Sequence, residues 1–185
     1  MNTKIIVGLG NPEEKYKKTR HNMGFIIADA LAKKWGAAFV RRKKFDAITA
    51  AFDAPSCKAI LVKPQTYMND SGRAVLSLKK FFKIQNADIL IAQDDIDLLF
   101  GKLRLSTNSG SAGHKGAASV ITSVGRGVPR LRIGIEHRGD KKNPDTESYV
   151  LQNFTPQERK ELSDKIIPEA VAEIEKFIGY KNIPQ

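Results

Sequence analysis

Ile89-Leu90-Ile91-Ala92-Gln93-Asp94-Asp95 (ILIAQDD) sets four apolar residues in a row directly against three polar ones. A run without alternation marks a strand covered on both faces, as in parallel sheets that carry helices above and below. Working outward, Lys4–Leu9 (KIIVGL) is a second such run, and it ends in the tight loop Gly8-Leu9-Gly10-Asn11-Pro12. Further strands are expected at Ala47–Phe52, at Lys58–Lys63 before Pro64, at Lys102–Ser106 and at Leu131–Ile135. Helices are expected over Thr19–Trp35, closed by Gly36, and over Ser71–Lys83, Ala117–Val124 and 155–178. The last opens on Thr155-Pro156-Gln157-Glu158, a threonine cap with proline at the first helical position and glutamate three residues after the cap. Alternating strands and helices predict an α/β sandwich. Its mixed, largely parallel twisted sheet is flanked by helices, in one domain spanning residues 1–185.

Composition narrows the function classes. The chain of 185 residues is 41% hydrophobic and 28% charged, too apolar for disorder and without a run long enough to span a bilayer. Met1–Lys4 leads straight into the first strand with no apolar leader. The one cysteine, Cys57, excludes an internal disulfide, so a cytoplasmic location is expected. Net charge is +11, and the excess lies within residues 1–154, where 26 Lys and Arg face 14 Asp and Glu. It is concentrated in Lys15/Lys17/Lys18/Arg20, Arg41–Lys44, Lys79/Lys80/Lys83, Lys102/Arg104, Arg126/Arg130/Arg132 and Lys141/Lys142. Each cluster alone is an ordinary solvated surface; the bias of the whole chain favours a polyanionic partner, nucleic acid first.

Polar residues gather where strands end: Asn11 after the first, Thr66-Tyr67-Met68-Asn69 after Pro64, and Asp94 in ILIAQDD. Open α/β sheets bind ligands outside the carboxyl ends of their strands. His21 follows the first strand by a loop of about ten residues, within reach of that edge. An imidazole, a carboxylate and two carboxamides would then share a site that holds no strong nucleophile. Other chemistries fit less well. Gly8 and Gly10 begin a dinucleotide fingerprint, but its third glycine is Glu13. There is no phosphate loop of the G-x-x-x-x-G-K-[ST] type and no G-x-S-x-G elbow. Cys57 lies inside a strand without a partner base, and His21, His114 and His137 lack the local spacing of a zinc site. Asp94, Asp95 and Asp97 form either a solvated turn or a Mg²⁺ cluster. What remains is a base with an orienting carboxylate, activating water against an ester held by amide donors.

The segments VGLGNP…Y..TRHNMGF, KPQTYMNDSG, QDDIDLLFGKLRL, GSAGHKG and LRIGI, in this order and spacing, resemble the bacterial-type peptidyl-tRNA hydrolases from residue 4 to about 154. The resemblance implies a monomer, with no cofactor and no metal, that hydrolyses the ester joining a peptide to the terminal ribose of tRNA and recycles tRNA dropped by stalled ribosomes. It implies that His21 is the general base and that Asp94 orients it. Asn11 would verify that the aminoacyl nitrogen is blocked, and Tyr16, Tyr67, Met68, Asn69, His114 and Lys115 would line the substrate site. Lys102, Arg104 and Arg132 would meet tRNA phosphates. The chain departs from the family pattern at Lys115, where asparagine is usual and helps bind substrate, and at Glu13, Asp70 and Leu99. The alternative is a non-catalytic RNA-binding relative on the same scaffold, with Lys115 marking lost turnover.

Overall fold

The computed structural model describes residues 2–139 and 145–180. In chain order its strands are β1 (Asn2–Gly8), β2 (Val40–Arg42), β3 (Ala47–Asp53), β4 (Cys57–Pro64), β5 (Ile89–Leu99), β6 (Leu103–Ser106) and β7 (Arg130–Glu136). They form one sheet in the order β2-β3-β4-β1-β5-β7-β6. The pairs β4–β1, β1–β5 and β5–β7 are parallel, whereas β2–β3, β3–β4 and β6–β7 are antiparallel. The sheet is therefore parallel at its centre and antiparallel at both edges.

The helices are α1 (Met23–Lys34), α2 (Ser71–Phe82), α3 (Lys115–Val124), α4 (Thr146–Val150), α5 (Pro156–Glu161) and α6 (Ile167–Phe177). Alternate strand residues feed two cores. Ile6, Leu61, Leu90 and Ala92 pack with α1 and α6, and Ile5, Val7, Ile60, Val62 and Ile91 pack with the α2–α3 side. The unbroken apolar runs of β1 and β5 follow from that double burial.

Several details differ from the sequence expectations. The α-helix expected from Thr19 begins at Met23, because Thr19 bridges to Asn153 and Arg20 donates its backbone N–H to the Gln152 carbonyl; residues 20–22 make a 3-10 turn instead. Strand β5 runs on to Leu99, because Asp94 and Asp95 are buried against histidine and arginine partners instead of turning out to solvent. The short β2 (VRR) is exposed throughout, so no burial pattern betrays it. The capping box at Thr155 forms as expected, with Glu158 answering the cap. The C-terminal helix is interrupted by a π-helical turn at Leu162–Ile166, just before Pro168, which has no N–H to return to the preceding turn. Cys57 is buried within β4. The Lys141/Lys142 cluster lies outside the described residues.

Candidate active site

Close backbone packing puts His21 over the middle of β5, just past the point where its pairing with β1 stops. A Cβ at Gly24 would collide with the Leu9 and Ala92 backbones, and one at Gly8 would meet the Gly24 carbonyl. Only glycine at these contacts lets the start of α1 press onto β1 and β5. The Leu9 N–H bonds to the Ala92 carbonyl at 3.0 Å, locking the end of β1 to β5. His21, in the turn just before α1, then meets Asp94, two residues beyond Ala92.

Both side chains are buried, and His21 Nδ1 lies 3.1 and 3.0 Å from the two Asp94 carboxylate oxygens. A second imidazole shares that carboxylate: His114 Nε2 is 2.9 Å from Asp94 Oδ1. The tautomers follow from the remaining bonds. His114 caps α3, its Nδ1 accepting from the Gly116 and Ala117 N–H groups at 3.1 and 3.2 Å, so its proton sits on Nε2 and is donated to Asp94. His21 donates from Nδ1, and its Nε2 makes no hydrogen bond among the described residues. One imidazole is thus committed at both nitrogens, and the other keeps a lone pair facing the cleft.

Electrostatics follow the same geometry. Burial disfavours the His21 cation, but the charge and hydrogen bond of Asp94 outweigh it and raise the His21 pKa above the ordinary 6.5; Lys115 opposes this and Glu147 assists. Burial likewise works against the Asp94 anion, yet the two imidazoles hold its pKa well below the usual carboxylate range. Asp94 is therefore a fixed anion across the working pH range.

Around this pair lies a cleft of about 680 Å³, lined by His21, Asp94 and His114 and also by Asn11, Tyr16, Tyr67, Met68, Asn69 and Lys115. Asn11 is buried and held from three sides. Its N–H and carbonyl exchange bonds with the Asn22 carboxamide at 2.9 Å each, and its Oδ1 accepts the Met68 N–H at 2.9 Å. With Oδ1 taken, Asn11 offers its Nδ2 donors to the cleft. Asn69 and Tyr67 are exposed at the rim, where the neighbouring Glu13 raises the Tyr67 pKa. Lys115 reaches across the mouth to Glu147 of α4 at 2.7 Å. Short, exposed α4 was not anticipated from sequence. Tyr149 anchors it, donating its hydroxyl to the Ile135 carbonyl at 2.7 Å beneath the Arg20 guanidinium.

The basic clusters divide. Arg132, expected at tRNA phosphates, is buried, and its Nε pairs with Asp95. Arg130 is buried too and holds the 108–113 loop through the Ser109 and Gly110 carbonyls. Both belong to β7, where these bonds tie it to the loop and to β5. Lys102 and Arg104 are exposed, with Lys102 beside Glu161, Glu169 and Glu173 in a separate groove. Asp95 and Asp97 also part from Asp94: Asp95 accepts the Asp97 N–H where the register of β5 shifts, and neither has a hydrogen bond to an imidazole among the described residues.

The ligand atoms of His21, Asp94 and His114 lie within 4.8 Å of one another, close enough to hold a metal ion. Each imidazole nitrogen that faces Asp94 carries a hydrogen in this arrangement, so an ion would have to displace two protons and the α3-linked hydrogen bond.

A polar cleft at the ends of parallel strands, with an oriented imidazole and, among the described residues, no serine or cysteine in its lining, suits acid–base chemistry on an α/β scaffold. The chain belongs to the peptidyl-tRNA hydrolase family, whose model matches residues 5–183. A peptidyl-tRNA hydrolase from Sulfurihydrogenibium sp. is 46% identical over 168 residues, covering 90% of this chain and 86% of that protein. One from Mycobacterium tuberculosis is 43% identical over 159 residues, covering 85% and 82%. The crystal structure of peptidyl-tRNA hydrolase from Acinetobacter baumannii superposes with a TM-score of 0.87 at 36% identity, over 96% of this chain and 89% of that one. A 5'-methylthioadenosine nucleosidase from Arabidopsis thaliana shares only the fold, with a TM-score of 0.58 at 11% identity.

Proposed function

We propose that the cleft hydrolyses the ester between a peptide and the 3′-terminal ribose of tRNA, with water activated by His21. The observation that carries this is the free His21 Nε2 beside a doubly held Asp94, next to the Asn11 amide donors. His21 Nε2 takes a proton from water as the oxygen bonds to the ester carbonyl carbon. The tetrahedral adduct then collapses by breaking the bond to the ribose oxygen, which receives the proton back from the imidazolium. Free peptide acid and deacylated tRNA leave. Asp94 stabilises the transient imidazolium and fixes the tautomer.

Asn11 Nδ2 would donate to the carbonyl of the peptide bond that precedes the ester, a group that a free aminoacyl-tRNA lacks; the engaged Asn11 Oδ1 supports this role. Such selection fits release of tRNA from peptides dropped by stalled ribosomes, in the cytoplasm and by a monomer. The acceptor-stem phosphates would be met by exposed cations such as Lys102 and Arg104, without sequence readout. N-acetyl-aminoacyl-tRNA should be deacylated while free aminoacyl-tRNA is spared, both followed by release of uncharged tRNA. Equal rates on the two would remove the role given to Asn11, and no release from either would make this chain a binding relative. EDTA should leave hydrolysis of a small N-blocked aminoacyl ester of adenosine unchanged, since a metal has no place in the proton path.

A further inference from the structure

The basic run Arg41–Lys44 has no part in the cleft. It forms edge strand β2 and the turn after it, and its side chains are exposed. The one acidic residue between 37 and 52, Asp46, is paired with Arg73 at 3.1 Å. Among the described residues, Arg41, Arg42, Lys43, Lys44 and Lys58 make no ion pair.

Aromatic rings stand among these cations. Buried Phe45 meets Phe81 edge-on at 5.1 Å, and Phe81 meets Phe82 edge-on at 5.0 Å. Phe81, at the end of α2, is nevertheless 54% exposed. The Lys44 ammonium lies 3.6 Å from its ring centroid, a cation on the face of an otherwise open ring. Below it, a groove of about 270 Å³ is lined by Arg42, Lys44, Thr49, Lys58 and Phe81 and shares no residue with the cleft.

A concave site with one presented aromatic face and unpaired cations on its rim matches a base and its flanking phosphates. A lipid surface would call for an apolar side chain protruding as a wedge, whereas Phe81 lies braced against two rings and beneath an ammonium. We propose that this groove is a second nucleic-acid contact, which takes an unpaired segment of RNA. One base stacks on Phe81 where Lys44 now lies, and Lys44 moves with Arg42 and Lys58 onto the adjacent phosphates. This holds whatever reaction the cleft performs.

The test uses the full chain and a fluorescein-labelled oligouridylate of about 12 nucleotides, within the range one such platform covers, closed by a 3′ phosphate and followed by anisotropy across a salt series. Phe81→Ala should weaken binding about tenfold, within what one base–aromatic stack contributes, and Phe81→Trp should restore it. Arg42→Ala with Lys44→Ala should reduce the salt slope by about 1.4, for two lost single-strand phosphate contacts. Hydrolysis of the small adenosine ester should be unchanged in all of these, so a failed cleft and a failed groove give separate results. Wild-type affinity in Phe81→Ala, or no rescue by Phe81→Trp, overturns the proposal. So does a Phe81→Ala protein that keeps RNA but loses phosphatidylglycerol vesicles, which would assign the surface to a membrane.

Discussion

Arg20 and His21 are adjacent in the chain, both buried, and both paired with a carboxylate, yet they do opposite things. Arg20 binds both oxygens of Glu158 at 2.8 and 2.9 Å, donates to the Asn153 carbonyl at 2.8 Å and lies over the Tyr149 ring at 4.5 Å. Glu158 is also the capping-box residue of α5 and bonds to His137. That ion pair ties the loop before α1 to the C-terminal helix and offers nothing to a ligand. His21 spends one nitrogen on Asp94 and leaves the other open in a cleft. Burial and pairing do not separate structural charge from reactive charge; an unspent lone pair at a cavity wall does.

The sharpest way to break this contrast is to delete each residue. His21→Ala should lower turnover of N-blocked aminoacyl-tRNA by about 10²–10⁴-fold, the usual cost of a lost general base. Its thermal midpoint should barely move, since His114 still pairs Asp94. Arg20→Ala should do the reverse, costing about 3–5 kcal/mol in chemical denaturation because Glu158 is left buried and unpaired, with near-normal turnover per folded molecule. Should His21→Ala keep half its activity, the proton acceptor lies elsewhere. His114 is a poor substitute, because its Nδ1 already serves α3.

Next in size is Asp94→Asn. His21 must be neutral to accept a proton, so activity rises with pH, and its acidic limb should lie above 6.5 because Asp94 raises the imidazole pKa. Without that charge, burial dominates. The limb should then move below 6.5 while the plateau rate falls by orders of magnitude, as the amide cannot support the imidazolium. The stability sign runs the other way. A raised folded pKa gives stability that is complete below the unfolded value and lost as pH climbs through the folded one. Calorimetry of the wild type should show this pH dependence above 6.5, and Asp94→Asn should remove it. An unmoved limb in Asp94→Asn would reassign it to another group.

Much of this was legible in the chain. The apolar runs Lys4–Leu9 and Ile89–Ala92 implied a doubly covered sheet, and strand ends located Asn11 and Asn69; Asp94 was found as the polar break after an apolar run, though β5 continues past it to Leu99. The unread parts depend on partners far away in sequence. Asp94 and Asp95 look alike in ILIAQDD, but only tertiary contacts send one to two histidines and the other to Arg132. Arg130 and Arg132 count as basic surface until β7 buries them. The second histidine on Asp94 was hidden because its local role, capping α3, is decided by backbone geometry. Strand β2 (VRR) has no alternating or buried apolar pattern to betray it.

The smallest effect concerns the mouth of the cleft, where Lys115 and Glu147 are paired at 2.7 Å and both are exposed. Lys115 pushes the His21 pKa down and Glu147 pushes it up. Lys115→Asn should therefore shift the acidic limb of turnover to higher pH, and Glu147→Gln should shift it to lower pH. The maximal rate should stay within several-fold in both, because neither residue touches the Asp94–His21 bond. The double variant should return close to the wild-type limb if the two charges act independently on the imidazole. Shifts in the same direction would mean that the pair acts by holding α4 across the cleft, with the field on His21 a by-product. A large gain in maximal rate for Lys115→Asn would instead show that the lysine obstructs the substrate.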